Sequence, residues 1–372
     1  MRVLELAGLG AAPFAGMLLA DLGADVLRLE RGDPDASPET TWDLLNRSRP
    51  SVAVDLKNAA GRDLALELAA LADVLIEGFR PGVAERLGLG PAEVHARNSR
   101  LVYGRMTGWG QEGPLAQRAG HDINYIAVSG ALWPVGRAGE RPTPPLNYVG
   151  DFGGGALYLA LGVVAALVHA RATGEGQVVD AAMVDGSASM TAMTHSLMAA
   201  GFWREERGAN ILDSGAPFYD VYETSDGRFV AVGAIEASFY ENLLAGLGLN
   251  PAELPAQMDR DAWPAMKERF AAIFATRTRD EWVAAFEDVD ACVSPVLSPS
   301  EAPTHPYNTA RQVFSTGGVT QPRPAPRFSS TPTALSRPPQ RAGSGTREGL
   351  ASWGIDLERQ AQLRAAGAFG AL

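Results

Sequence analysis

Short apolar runs alternate with helix-period segments over the first third of the chain, and that alternation sets the expected architecture. Residues 3–6, 25–29, 51–56, 73–77 and 101–105 read as strands, with helical periods at 13–22 and about 58–71 between them. Strand–helix alternation predicts an α/β fold: a parallel, doubly wound, Rossmann-like sheet whose ligand lies at the carboxyl ends of the strands. Residues 155–170 read as a further helix, and residues 176–183 as a strand leading into a helix through about 198. The pattern then changes. Two β-rich runs, 216–223 and 228–234, flank Ser225-Asp226-Gly227, a hairpin signal. Helical periods at 260–276 and 279–287 and a strand-like run at 292–297 complete a second, smaller α+β domain. Residues 298–345 are rich in Pro, Ser, Thr and Gly and read as an extended return, closed by a helical pattern at 346–366. The expected division is a large domain over 1–190, a linker over 191–215, the small domain over 216–300, and a return segment over 301–372 that packs on the large domain. No internal repeat is visible.

Composition narrows the function. With 372 residues the chain is too long for one ordinary core. A hydrophobic content of 46% with 20% charged residues is that of a soluble globular protein. The formal net charge of -11 argues against a nucleic acid or an anionic membrane as partner. Cys292 is the single cysteine, so there is no internal disulfide and no cysteine metal cluster. The uncharged run 156–168 is shorter than the roughly 20 residues a bilayer span needs. The first strand begins at once after Met1-Arg2, and a cytoplasmic setting is expected.

Candidate chemistry concentrates between residues 120 and 155. Gly120-His121-Asp122-Ile123-Asn124-Tyr125 and Gly150-Asp151-Phe152-Gly153-Gly154-Gly155 each set an ionisable side chain beside glycine and next to an apolar helical run. His121 and Asp151 are candidates for a general acid/base pair beside helix N-termini. The alternative is that His121 is a satisfied polar residue and Asp151 a helix N-cap. Gly8-Leu9-Gly10 after the first strand is a partial dinucleotide fingerprint, but Pro13 stands where the third glycine belongs and Arg31 closes the second strand, which argues against redox use. Arg31, Lys57, Arg80 and Arg86 follow strand ends and could converge on phosphates. They could equally be solvated surface cations.

These strings together resemble the class III CoA-transferase superfamily and, within it, the α-methylacyl-CoA racemases. The resemblance is carried by Leu4-Glu5-Leu6-Ala7-Gly8, Asp21-Leu22-Gly23-Ala24-Asp25-Val26, Glu77-Gly78-Phe79-Arg80-Pro81-Gly82, Met106-Thr107-Gly108-Trp109-Gly110, the two clusters above, and Val179-Asp180-Ala181-Ala182-Met183-Val184-Asp185. It implies an interlocked homodimer with its active site at the interface. CoA binding falls by carry-over to Arg31, Val54, Asp55, Leu56, Lys57, Gly78, Phe79, Arg80 and Arg86. Acid/base chemistry falls to His121 and Asp151, with Glu236 of the small domain nearby. The substrate faces Gly120, Asp122, Ile123, Asn124 and Tyr125, and backbone N–H groups around Asp122 are the candidates for stabilising an enolate oxygen. The implied reaction inverts the α-carbon of a 2-methylacyl-CoA through an enolate, with neither metal nor cofactor. The rival is CoA transfer between carboxylic acids, with Asp151 as nucleophile passing through an anhydride and an enzyme thioester. His121 separates the two, because transfer needs no base on that face.

Overall fold

The computed structural model describes residues 1–32 and 42–370, and the chain divides into two compact units. Unit 1 comprises Met1–Ser129, Leu146–Met190 and Pro306–Leu372; unit 2 comprises Gly130–Pro145 and Thr191–His305. The last two residues of the expected return segment, 371 and 372, lie outside the described residues.

Unit 1 is built on β1 (Arg2–Leu6), α1 (Ala11–Asp21), β2 (Asp25–Glu30), β3 (Ser51–Ala53), α2 (Ala59–Leu71), β4 (Val74–Glu77), α3 (Val83–Arg86), α4 (Pro91–Arg97) and β5 (Val102–Thr107). The chain continues through α5 (Asp122–Val128), a π-helical stretch Tyr148–Ala156 that runs directly into α6 (Leu157–Thr173), β6 (Val178–Ala182) and α7 (Met183–Met190). The six strands are all parallel in the order β3-β2-β1-β4-β5-β6, the doubly wound sheet expected from the alternating pattern. Strand order reverses between β1 and β4, so the crevice above those two carboxyl ends is where this architecture receives a ligand.

Alternation along each strand feeds two cores. Leu4, Leu6, Leu27, Leu29, Leu75 and Tyr103 face Leu64 and Leu68 of α2. Val3, Val26, Val74, Ile76 and Val102 face Leu19 of α1 and Leu159 and Val163 of α6. The helical run from Tyr148 to Thr173 is 26 residues, with a mean hydropathy of 1.8 over its most apolar window. By length and composition it could cross a membrane, so the limit set by the uncharged run 156–168 does not hold for the helix as folded. One face of it is committed to the sheet.

Unit 2 contains α8 (Ala192–Ala199), β7 (Tyr219–Glu223), β8 (Phe229–Gly233), α9 (Ala237–Gly246), α10 (Trp263–Phe274), α11 (Arg279–Ala285) and β9 (Val293–Pro295). The hairpin is present, β7 and β8 pairing antiparallel, with Gly227 at φ 70 in its turn. The core beneath it is aromatic: Tyr222 stacks on Phe274 at 5.0 Å, and Phe274 meets Trp282 edge-on at 5.1 Å. The stretch Gly130–Pro145, inside the span expected for the large domain, clusters with unit 2. Its Trp133 donates from Nε1 to the Glu205 carbonyl at 3.1 Å and lies under the Arg207 guanidinium.

After unit 2 the chain re-enters unit 1 with α12 (Pro306–Ala310), the short ladder β10 (Phe314–Ser315) and β11 (Gln321–Pro322), α13 (Thr346–Ser352) and α14 (Leu357–Ala365). Leu350, Trp353 and Leu363 join the core on the α2 face. Two expected elements differ. The strand expected over 51–56 ends at Ala53, because the Asp55 N–H leaves the sheet for the Ala368 carbonyl at 2.8 Å. The glycine-rich run 150–155 forms π-helix in place of a helix start.

Candidate active site

Three loops at the carboxyl ends of β1, β4 and β5 supply the site, and glycine is what lets them approach. At β5, a Cβ on Gly108 would fall 2.0 Å from the Tyr125 ring, and one on Gly120 would fall 2.7 Å from it. Tyr125 is therefore seated in a slot that only glycine leaves open, edge-on to Trp109 at 4.8 Å. That seat orients α5 and the residue that caps it, His121. The His121 backbone is extended and donates its N–H to Asn124 Oδ1 at 3.0 Å, and its carbonyl accepts from Asn124 N at 2.8 Å. The cap is closed by Asn124 and the backbone, and the imidazole is exposed.

Asp151 lies in the π-helical stretch. Phe152 stacks on Phe14 of α1 at 4.3 Å. A Cβ on Gly154 would fall 2.5 Å from Ser187 Oγ, and one on Gly186 would fall 1.8 Å from the Gly154 carbonyl. The glycines of the stretch thus permit backbone contact with α7. Asp151 is thereby held over β1: its Oδ2 would lie 3.4 Å from a Cβ on Gly10, in the loop that opens α1. Its backbone N–H donates to Asp122 Oδ2 at 2.7 Å, and Asn147 Nδ2 lies 3.5 Å from its own Oδ2.

Electrostatics tie these groups together. Burial raises the Asp151 carboxyl above its ordinary range, and the neighbouring Asp122 charge raises it further; Asn147 and then His121 pull it back. Burial also raises the Tyr125 phenol, followed by Asp151, against a downward pull from Arg80. His121, Asp122, Tyr125, Asp151 and Arg80 therefore share one field, although they come from three separate loops.

The β4 loop is fixed by a carboxylate, Glu77, to which the sequence pattern assigns no role of its own. Glu77 is fully buried at the end of β4. Its Oε2 accepts from the Phe79 N–H at 2.6 Å and its Oε1 from Arg105 Nε at 2.8 Å, while Arg105 Nη1 reaches Glu85 at 2.8 Å. Gly78-Phe79-Arg80 is thus presented from a braced anchor, with Arg80 exposed. A glutamate ending an apolar strand was the available signal.

The remaining candidates sit along the same edge. Arg31 is exposed after β2. Val54, Asp55, Leu56 and Lys57 follow β3, where the Lys57 N–H donates to Asp55 Oδ1 at 3.0 Å and the lysine side chain is exposed. Arg86 ends α3 with an exposed side chain. Of these cations, the structure brings Arg80 into the field of Tyr125. Ile123 is exposed on α5, and Asp122 is buried, with 6% of its surface accessible. Glu236 belongs to unit 2, where it is the exposed residue capping α9 and makes no capping hydrogen bond through its side chain. No group of three or more metal-ligating side chains occurs among the described residues.

A parallel, doubly wound sheet with ionisable side chains gathered above its carboxyl edge defines the class: an α/β protein that receives its ligand at that edge. The model of CoA-transferase family III matches residues 1–346, and the chain belongs to that family. It is 47% identical to the α-methylacyl-CoA racemase of Mus musculus over 98% of this chain and 95% of that one. It is 45% identical to the Homo sapiens α-methylacyl-CoA racemase over the same shares. Among solved structures, a CaiB/BaiF family protein from Brucella suis superposes with a TM-score of 0.82 at 25% identity, covering 95% of this chain and 98% of that one.

Proposed function

We propose that this chain is an α-methylacyl-CoA racemase, interconverting the R and S configurations of 2-methylacyl-CoA thioesters. The observation that carries this reading is that His121 and Asp151 come from different elements yet lie within each other's field at the switch point of the sheet. One group removes the α-proton to leave a planar enolate, and the other returns a proton to the opposite face. Each positioned group is worth typically 10²–10⁴-fold. Backbone N–H groups at the start of α5 are proposed to receive the enolate oxygen.

The two bases must be able to exchange a proton load in either direction. Model values of about 6.5 for His and 3.9 for Asp favour His⁺/Asp⁻ by roughly 3.5 kcal/mol. The upward displacement of Asp151 makes the proton easier to keep there, the direction that a reversible exchange asks for. Full-length identity of 45–47% to racemases supports the same choice, the CoA-transferases among the relatives standing at about 30%.

Arg31, Lys57, Arg80 and Arg86, with the backbone at 54–57 and 78–80, are proposed to hold the CoA portion. The role of Glu236 rests on family resemblance alone, and Glu236→Gln tests it by the same exchange assay. We further propose a homodimer. Leu157, Leu161, Val164 and Val168 form an exposed apolar stripe on α6, at 51%, 68%, 46% and 66% accessibility, and a second copy would cover it. Light scattering of the parent and of Leu161→Glu tests this: a parent that is monomeric at micromolar concentration defeats it.

The reaction itself is tested in D₂O with a 2-methylacyl-CoA of either configuration. Deuterium should enter the α-carbon and the mixture should drift toward racemic with no acceptor acid present. Rapid CoA transfer to a free carboxylate without α-deuteration would replace this reading with the transferase one.

A further inference from the structure

The Asp151 N–H is held by a carboxylate whose own surroundings are unusual. Asp122 Oδ2 accepts that N–H at 2.7 Å, while Asp122 Oδ1 is buried without a hydrogen-bond partner among the described residues. No arginine or lysine pairs with Asp122 among those residues either. A Cβ on residue 150 would fall 2.7 Å from Asp122 Oδ2, so the glycine before Asp151 is what admits this carboxylate. A buried negative charge that is neither paired nor fully hydrogen-bonded is costly and persists where it acts on something.

We propose that Asp122 is the positioning residue for Asp151: one oxygen fixes the Asp151 backbone, and its uncompensated charge sets the ease with which Asp151 keeps or releases the transferred proton. The assignment rests on the racemase reading. It explains why the Gly-Asp pair must stand against this carboxylate, and it agrees with the direction in which Asp151 is displaced.

The other ionisable groups on the packed elements do not supply this charge. On α5, His121 acts on Asp151 with the opposite sign, and Arg80 acts on Tyr125 beside it. Arg105 of β5 is tied to Glu77 and Glu85, and Asp180 of β6 accepts from the Gln111 N–H at 3.0 Å. Asp185 of α7 is exposed, and α1 carries no ionisable side chain before Asp21 at its far end, which pairs with Arg47.

Asp122→Asn keeps the acceptor oxygen and the volume and deletes the charge. In this variant the acid limb of kcat/KM for α-proton exchange from the R substrate should move to lower pH by on the order of one unit. CoA affinity should stay within about twofold, since the buried side chain is not assigned to CoA. Infrared difference spectra between the parent and Asp151→Asn isolate the Asp151 carboxyl band. In the parent that band should titrate above the usual value of about 3.9, a measurement that needs no Asp122 variant and decides the matter if Asp122→Asn does not fold. An unmoved limb in folded Asp122→Asn, or a parent band titrating at or below about 3.9, overturns the proposal. A parent that exchanges no α-proton defeats the racemase reading instead, while the infrared titration of parent against Asp122→Asn still reports whether Asp122 acts on Asp151.

Discussion

Two regions of unit 1 keep carboxylates away from water and treat their charge in opposite ways. Within the sheet, Glu5 is met by Arg49 and Arg28, and Glu77 by Arg105. Above β1, Asp151 is met by another carboxylate, Asp122. Burial raises the carboxyl in every case, so burial does not distinguish them. The nearest charge does: arginine pulls Glu5 and Glu77 back down, whereas Asp122 pushes Asp151 further up. The first arrangement holds a charge still, as suits a brace. The second makes the proton easier to keep, which a brace has no use for and an acid/base catalyst can draw on.

The comparison breaks most easily at Arg49. This side chain is fully buried, bridges Glu5 and donates to the Pro13 carbonyl at 3.0 Å, and Gly16 of α1 leaves room for it. Arg49→Met would remove the close partner of Glu5 and leave it only the longer contact to Arg28 at 3.8 Å. The expected loss is about 3–5 kcal/mol of unfolding free energy, because removing one member of a buried pair leaves an uncompensated charge. Urea denaturation reads this directly. A loss below about 1 kcal/mol would mean that Glu5 is held neutral and the brace is not ionic.

Next in size is loss of the two proposed bases. His121→Ala should abolish most α-proton exchange from the S substrate, and Asp151→Asn most exchange from the R substrate. Racemisation should fall by at least about 10²-fold in both, equivalent to about 2.7 kcal/mol of barrier. Single-turnover exchange of each enantiomer resolves the asymmetry. Equal losses from both enantiomers together with weakened CoA binding would move these residues from chemistry to pocket support.

A smaller effect is expected at the braced loop. Arg80→Ala should weaken binding of the CoA portion by about 1–3 kcal/mol if a charge-assisted bond is lost, with little change in stability since the side chain is exposed. Calorimetric titration with CoA measures it. Unchanged affinity would leave Arg80 as a solvated cation that touches the site only through its field.

What the sequence disclosed follows from the range over which each feature is written. The parallel sheet was legible because each strand and helix carries its own period: Val74, Leu75 and Ile76 announce a buried strand with no knowledge of their neighbours. Gly120-His121 and Gly150-Asp151 were legible as strings. The contact between Asp122 and the Asp151 N–H was not, since it joins residues 29 positions apart and leaves no mark except a glycine at 150. The π-helical turn was equally hidden, because a run of glycines has no side-chain pattern to read and its geometry is set by the approach of α7. The bracing role of Glu77 was hidden for a related reason. A strand-ending glutamate reads as exposed until Arg105, on the neighbouring strand, is seen to meet it. The assignment of Gly130–Pro145 to unit 2 depends on Trp133 finding Glu205 and Arg207, again a distant partner.

The finest test of the comparison is thermal, and it turns on sign. Below the ordinary carboxyl value of about 3.9, Asp151 is protonated in both the folded and the unfolded chain, and its ionisation makes no difference to stability. Between that value and the raised folded one, the folded state binds the proton more tightly, so the stability this group contributes is lost as pH rises. Ionised Asp151 stands as a cost beside Asp122, and that cost grows as pH rises through the raised value. Asp151→Asn removes the charge while keeping the shape. Its Tm should therefore exceed that of the parent at pH 7, by on the order of a degree or two. The excess should shrink as pH falls through the raised value. Differential scanning fluorimetry across pH 4 to 8 would follow it. Glu77 is raised by burial as well, so its contrast with Asp151 rests on its partner: Glu77→Gln, which weakens the hold on buried Arg105, should lower Tm at pH 7. If Asp151→Asn and Glu77→Gln both lower it, Asp151 belongs with the braces, and the distinction between the two regions fails.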